Sequence, residues 1–79
     1  MHKNIATLNQ LPEGQMAQVT GLLSQGSMRR RLLDLGVVKG TQITCLQKSP
    51  AGDPIAYFIR GAVIALRTVD SRQILIKNC

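Results

Sequence analysis

The sequence is poor in the residue types that build most catalytic and metal centres. Among its 79 residues there are four acidic side chains, one histidine and two cysteines, against ten lysines and arginines, which gives a formal charge of +6. Four carboxylates leave little material for paired acid-base catalysis or for an all-oxygen cation site. A chain this short buries only about 60% of the surface of its unfolded form, so it holds one small core. We therefore expect a binding protein without catalytic residues or cofactor.

The soft metal ligands are also few and scattered. Cys45 and Cys79 are far apart in the sequence, and neither has a second cysteine at the spacing of zinc or redox motifs. A disulfide between them stays an alternative, but Cys45 in an alternating segment is typical of a small core side chain. His2 is the single histidine and lies close to the amino terminus. The sequence predicts no dedicated metal site.

No hydrophobic run is long enough for a membrane span. None is longer than five residues, the length of Ala62 to Leu66, whereas a span needs about twenty. Residues 1–10 also lack the apolar stretch of a secretory signal. We expect a cytoplasmic protein.

Tryptophan is absent, and Tyr57 and Phe58 are the only aromatic residues. The sequence pI of about 10.2 would suit a phosphate binder, but small barrels that bind single strands use several aromatic platforms. Neighbours in a strand face opposite sides, so at most one of these two rings can line a given surface. We predict no nucleic-acid partner; a small basic barrel that binds RNA and a metal-sensing domain are the alternatives.

One segment has the pattern of a helix, from Ser27 to Gly36. Met28, Leu32 and Leu35 recur at spacings of four and three, which places them on one face. The Ser27 hydroxyl could cap the amino terminus, and Gly36 could take the left-handed conformation that ends a helix. Such a short helix needs to pack its apolar face on a sheet.

The rest of the chain reads as short strands separated by turns. The alternation predicts five of them, at Met16–Leu23, Thr41–Gln47, Ile55–Arg60, Val63–Arg67 and Ile74–Lys77. The segment from Ser49 to Pro54 predicts a hairpin, and Asp70 to Arg72 a tight corner. Five strands with one short helix after the first can share a core by curling into a small barrel, so we predict a mainly β fold of that kind.

Three consecutive arginines, Arg29, Arg30 and Arg31, stand at the start of the predicted helix. Cations in a first turn oppose the helix dipole at a cost of about 0.3–1 kcal/mol each. Their stems could pack over the barrel while the guanidinium groups reach carbonyls or carboxylates. Alternatively, they bind an acidic patch on a protein partner.

Several segments together resemble the FeoA family of bacterial ferrous iron transport proteins, over about residues 7–77 of a single domain, 1–79. The resemblance rests on the runs 29–40 (RRRLLDLGVVKG), 50–54 (PAGDP) and 61–67 (GAVIALR), with Leu11-Pro12-Glu13-Gly14 before them. It implies an SH3-like barrel with one helix after the first strand. It also implies a cytoplasmic, non-catalytic accessory protein that acts on FeoB, a membrane permease with a cytoplasmic GTPase domain. His2 and Cys79 lie outside the resemblance.

SH3-like barrels commonly bind partners in a groove or along a strand edge. By that analogy we predict a partner-binding surface that combines the arginines with the hairpin. Its expected members are Arg29, Arg30, Arg31, Pro50, Gly52, Asp53 and Pro54. The protein would then meet the membrane only through the transporter.

Overall fold

Six strands and two helices make up residues 5–78, the part of the chain that the computed structural model describes. In chain order they are β1 (Ile5–Thr7), β2 (Met16–Leu22), α1 (Gly26–Asp34), β3 (Gln42–Lys48), β4 (Ile55–Ile59), β5 (Ala62–Leu66), α2 (Thr68–Ser71) and β6 (Ile74–Asn78). A single 3-10 turn, Leu8–Gln10, follows β1. The expectations for His2 and Cys79, including the disulfide, lie outside the described residues. Neither α1 nor α2 has the length or the apolar sequence needed to cross a membrane.

The strands form one antiparallel sheet in the order β1-β6-β2-β3-β4-β5. Its inner face carries a single core that the 3-10 turn and α1 cover. The core side chains are at most 3% exposed: Leu8, Leu11, Ala17, Val19, Leu32, Val37, Ile43, Cys45, Ile55, Tyr57, Ile59, Leu66, Ile74 and Ile76. The outer strands, β1 and β5, do not pair with each other within residues 5–78, so the sheet is open at that point.

The predicted number of strands is wrong by one, because β1 escaped the sequence analysis. Three residues are too few to show an alternation, and β1 exists through its pairing with β6, in which Ala6 lies opposite Ile76. The tight corner predicted from Asp70 to Arg72 is instead the end of a helical turn, α2, that begins at Thr68. All five predicted strands are present within one residue of their expected ends.

Helix α1 begins at Gly26, one residue before the predicted start. Gln25 occupies the position before the helix, and no side chain caps the first turn. The prediction that the Ser27 hydroxyl caps the helix is therefore wrong, since Ser27 already lies inside it. The apolar face is as predicted: Leu32 is fully buried, and Met28 and Leu35 pack against the core.

The helix ends as the glycine predicts. Gly36 has φ +91°, the Gly36 N–H donates to the Leu33 carbonyl (3.0 Å), and the Val37 N–H donates to the Leu32 carbonyl (2.9 Å). These two bonds form a Schellman motif, which satisfies carbonyls that a helix end leaves free. The Arg60 side chain lies directly against Gly36, so a Cβ there would also collide with it.

Strand β4 shows the predicted alternation. Ile55, Tyr57 and Ile59 are buried, whereas Phe58 is 43% exposed on the opposite face. Because β4 pairs with β3 and β5 on either side, its outward residues lie on the outer face of the sheet, one strand in from the β5 edge. One aromatic ring is thus in the core and the other on the surface.

Candidate partner-binding surfaces

The three arginines are exposed on α1, but they do not crowd its first turn. Since α1 runs from Gly26 to Asp34, Arg29 closes the first turn and Arg31 belongs to the last. A cation in the last turn interacts favourably with the helix dipole. The predicted electrostatic conflict at the helix start is therefore wrong for Arg31 and smaller than expected for the group.

Arg29 and Arg30 border a surface cavity of about 390 Å³ together with Gly26, Leu33 and Asp34. The Arg29 guanidinium also donates to the main-chain carbonyl of Leu22, at 3.4 Å, as the structural interpretation of the arginines anticipated. Leu33 is 41% exposed beside them. We call Arg29, Arg30, Arg31 and Leu33 the arginine surface; it presents positive charge around one apolar side chain.

The hairpin carboxylate has a role inside the fold. The Thr68 N–H donates to Asp53 Oδ1 at 2.7 Å, and the Thr68 hydroxyl donates to the same oxygen. These hydrogen bonds to Thr68 hold the pKa of Asp53 below its ordinary value. Asp53 therefore caps the start of α2 from a distant loop, as a carboxylate at a helix start can do.

Replacing Asp53 with alanine is expected to loosen α2, because the Thr68 N–H loses its acceptor. The wild-type contact should be complete above pH 3.8, the ordinary value for the carboxyl, and should be lost as the pH falls through the depressed folded-state pKa. NMR titration of the Thr68 amide between pH 6 and pH 2 measures this. In the variant the acid-dependent shift should vanish; an unchanged titration would assign it to another group.

The predicted members of the binding surface border two different cavities. Pro50 and Pro54 border a separate, smaller cavity of about 190 Å³ with Ala56 and Ala65. Among residues 5–78, no hydrogen bond joins this hairpin to the arginines. The arginines and the hairpin thus border different cavities, and their combination into one binding surface stays a prediction.

A second acidic side chain also serves the fold. The Lys48 N–H donates to Glu13 Oε2 at 2.6 Å, and the adjacent Gly14 N–H donates to the Cys45 carbonyl at 2.7 Å. These bonds tie the turn before β2 to β3 where the β3–β4 register shifts. Two of the four carboxylates of the chain are therefore engaged with main-chain N–H groups.

The metal-ligating residue types remain scattered in three dimensions. Within residues 5–78, no three His, Cys, Asp or Glu side chains come together. Cys45 is a free, fully buried thiol. Burial raises its pKa, with Lys48 opposing and Glu13 adding to the shift. The side chain behaves as the predicted small core residue.

The outer face of the sheet carries an apolar row that the sequence analysis did not assign. The registers place Met16 opposite Thr44, Thr44 opposite Phe58, and Phe58 opposite Val63, across four strands. Met16, Phe58 and Val63 are 48%, 43% and 67% exposed. The alternation along each strand indicates which side chains face outward. Which of them lie side by side on neighbouring strands is known only from the strand registers.

Comparison with known proteins gives consistent matches. The model of the FeoA domain family matches residues 6–78. A Fe(2+) transport protein A/Fe(2+) transporter FeoB fusion protein from Porphyromonas gingivalis is 34% identical over 67 residues, which are 85% of this chain and 8% of that protein. The chain thus spans less than a tenth of this curated relative.

Two solved structures place the fold. The NMR structure of a FeoA-like protein from Clostridium acetobutylicum has a TM-score of 0.86 and 35% identity, over 99% of this chain and 90% of that one. The crystal structure of FeoA from Stenotrophomonas maltophilia, complexed with zinc and described as a prokaryotic SH3 domain protein, has a TM-score of 0.81 and 28% identity, over 90% of this chain and 88% of that one. The fold is accordingly mainly β and SH3-like.

Proposed function

Since the chain belongs to the FeoA domain family, we propose that it is a cytoplasmic, non-catalytic accessory protein of ferrous iron uptake that binds the cytoplasmic part of a FeoB-type permease. Iron is the cargo of the permease and has no resident site in this proposal. The arginine surface is the contact that we assign to the permease.

The relative from Porphyromonas gingivalis carries the proposal. There a region similar to this chain belongs to the same polypeptide as a FeoB transporter. Covalent linkage of this kind holds two domains at effective concentrations of the order of millimolar. A fusion of this kind is expected where an accessory protein acts through prolonged contact with the transporter, because the linkage keeps the two domains together.

The chemistry of the arginine surface suits a protein partner. Arginine is enriched at protein interfaces because its planar guanidinium can donate two parallel hydrogen bonds to one carboxylate and is only weakly hydrated. Leu33 supplies an apolar side chain that a partner could bury between Arg29 and Arg30. The complementary surface on the permease would carry Asp and Glu around a small apolar patch.

Changing Arg29, Arg30 and Arg31 together to alanine should weaken binding to the isolated cytoplasmic domain of the permease by about tenfold, because three exposed charge contacts contribute roughly 0.5 kcal/mol each. Isothermal titration calorimetry at low salt measures the effect. The matched control changes Lys39, Arg72 and Lys77, which are also exposed, to alanine. It removes the same charge but should leave the affinity within about twofold.

Equal losses in both triple variants would show that net charge, and not this surface, drives association. Unchanged binding in the arginine variant would remove the arginine surface from the interface. An RNA-binding barrel predicts a different result. Its affinity for RNA would fall by orders of magnitude between about 50 and 200 mM salt, and membrane pull-downs would not recover the permease.

A further inference from the structure

Strand β5 is an unprotected edge of the sheet. It pairs with β4 on one side, and nothing within residues 5–78 pairs with its other side. Natural proteins usually protect such an edge with lysine, proline or a bulge, because free main-chain groups there accept another strand. The sequence of β5, AVIAL, contains none of these.

The geometry of the β4–β5 hairpin identifies the groups on the free edge. Ile59 and Ala62 flank a two-residue turn whose members, Arg60 and Gly61, have φ of +49° and +85°. Positive φ at both positions is the type I′ geometry, in which the flanking pair is hydrogen-bonded. Hydrogen-bonded and non-hydrogen-bonded pairs alternate along two antiparallel strands, so the main-chain groups of Ala62, Ile64 and Leu66 are the ones that pair with β4.

Val63 and Ala65 therefore direct their N–H and C=O groups away from β4. Among the turn, loop and cap hydrogen bonds of residues 5–78, none involves the main chain of either residue, and β4 is the one strand there that pairs with β5. Both residues are exposed, Val63 to 67%. Two donors and two acceptors are thus available to an added strand.

The adjacent surface suits alternating apolar side chains. Val63 continues the row of Phe58, Thr44 and Met16 on the outer face. Two positions along, Ala65 borders the cavity formed with Ala56, Pro50 and Pro54. An added strand would place one outward side chain beside Val63 and the next beside Ala65, since side chains two apart share a face.

The charges of the β4–β5 hairpin indicate what kind of strand can pair with the free edge of β5. From residue 55 to residue 67, the only charged residues are Arg60 and Arg67, one at each end of β5. In antiparallel pairing with a second copy through the free edge, Arg67 would face Gly61 of that copy, directly beside its Arg60. Four arginines would then gather in two like-charged pairs. An acidic segment instead meets an arginine at both ends, of which Arg67 also interacts with the carboxylate of Asp53.

We propose that the β5 edge binds an extended segment of a protein partner, with alternating apolar side chains and acidic residues at its ends. The main chain of the segment pairs with Val63 and Ala65, and its acids lie near Arg60 and Arg67. This surface shares no residue with the arginine surface, and the inference does not depend on the identity of the permease as partner.

A nine-residue synthetic peptide, acetyl-Asp-Glu-Val-Thr-Val-Thr-Val-Glu-Asp-amide, is a suitable probe, since Arg60 to Arg67 spans about 23 Å of extended chain. Binding to the full chain is followed by NMR hydrogen exchange. The amides of Val63 and Ala65 should exchange at least about tenfold more slowly with saturating peptide. The affinity should fall as salt rises.

Two controls isolate the strand pairing. The same peptide with alternate amides N-methylated keeps its charges and side chains but cannot complete the ladder, so it should bind about tenfold more weakly or worse. On the protein, Val63→Pro removes an outward N–H, a change that edge strands tolerate. It should weaken binding similarly, whereas Val63→Thr, which keeps the N–H, should retain most of the affinity.

The proposal is overturned if the N-methylated peptide binds as well as the parent, or if Val63 and Ala65 gain no protection. Protection that rises with protein concentration in the absence of peptide would instead assign the edge to a second copy, against the proposal. Because the N-methylated peptide tests the pairing without altering the protein, the test holds even if Val63→Pro fails to fold.

Discussion

Replacing Leu32 with alanine is expected to lower the free energy of unfolding by about 2–5 kcal/mol, the usual cost of deleting a fully buried leucine side chain. Leu32 is 0% exposed and is the only residue of α1 in the buried core. The helix has nine residues and no side-chain cap, so it cannot persist without tertiary packing. Losing this contact should therefore release α1 as well as destabilise the core.

Leu33 provides the matched control, because it is the next residue of the same helix and is 41% exposed. Leu33→Ala should change the free energy of unfolding by less than about 1 kcal/mol. Urea denaturation monitored by circular dichroism compares the two variants. Similar losses for both would mean that the helix packs on the sheet through a different face, contrary to the structure.

The second large effect is expected at high pH, where Tyr57 should destabilise the fold. The side chain is fully buried, and burial raises its pKa from 10.0 to about 12, partly offset by Ser71. Below pH 10 the phenol is neutral in both states and its contribution is intact. Between pH 10 and pH 12 the unfolded chain loses the proton first, so the free energy of unfolding should fall by about 2 kcal/mol.

Tyr57→Phe is the control for this pH dependence. The hydroxyl donates to the Leu8 carbonyl at a long 3.5 Å, so its removal should cost only about 0.5–1.5 kcal/mol at neutral pH. Chemical denaturation at intervals from pH 8 to pH 12 should show a steep loss in the wild type and a shallower one in the variant. Parallel curves would mean that the loss of stability comes from Cys45, whose burial also raises its pKa.

The sequence was most informative for features that depend only on a few neighbouring residues. The period of Met28, Leu32 and Leu35 predicted the buried face of α1, and Gly36 predicted its end, because both signals depend on a few neighbouring residues. The alternation around Tyr57 and Phe58 separated core from surface for the same reason. Strand β1 could not be predicted in this way, because three residues are too few to show a period and their extended conformation depends on pairing with β6.

The candidate binding residues divide in the same way. The arginines could be singled out in the sequence because three like charges in succession are conspicuous. Asp53 looked equally available, yet it accepts hydrogen bonds from Thr68, fifteen positions along the chain. No local pattern reports a contact over that distance, so its role as a cap could come only from the folded chain.

The sequence by itself determined the class of this protein: it is basic and mainly β, with a family resemblance that the FeoA domain match bears out. Only the tertiary structure decided which surfaces are open to a partner. Strand β5 becomes an edge because strand order and register depend on pairings between distant residues. Those pairings are chosen by burial of the shared core, which no single segment encodes.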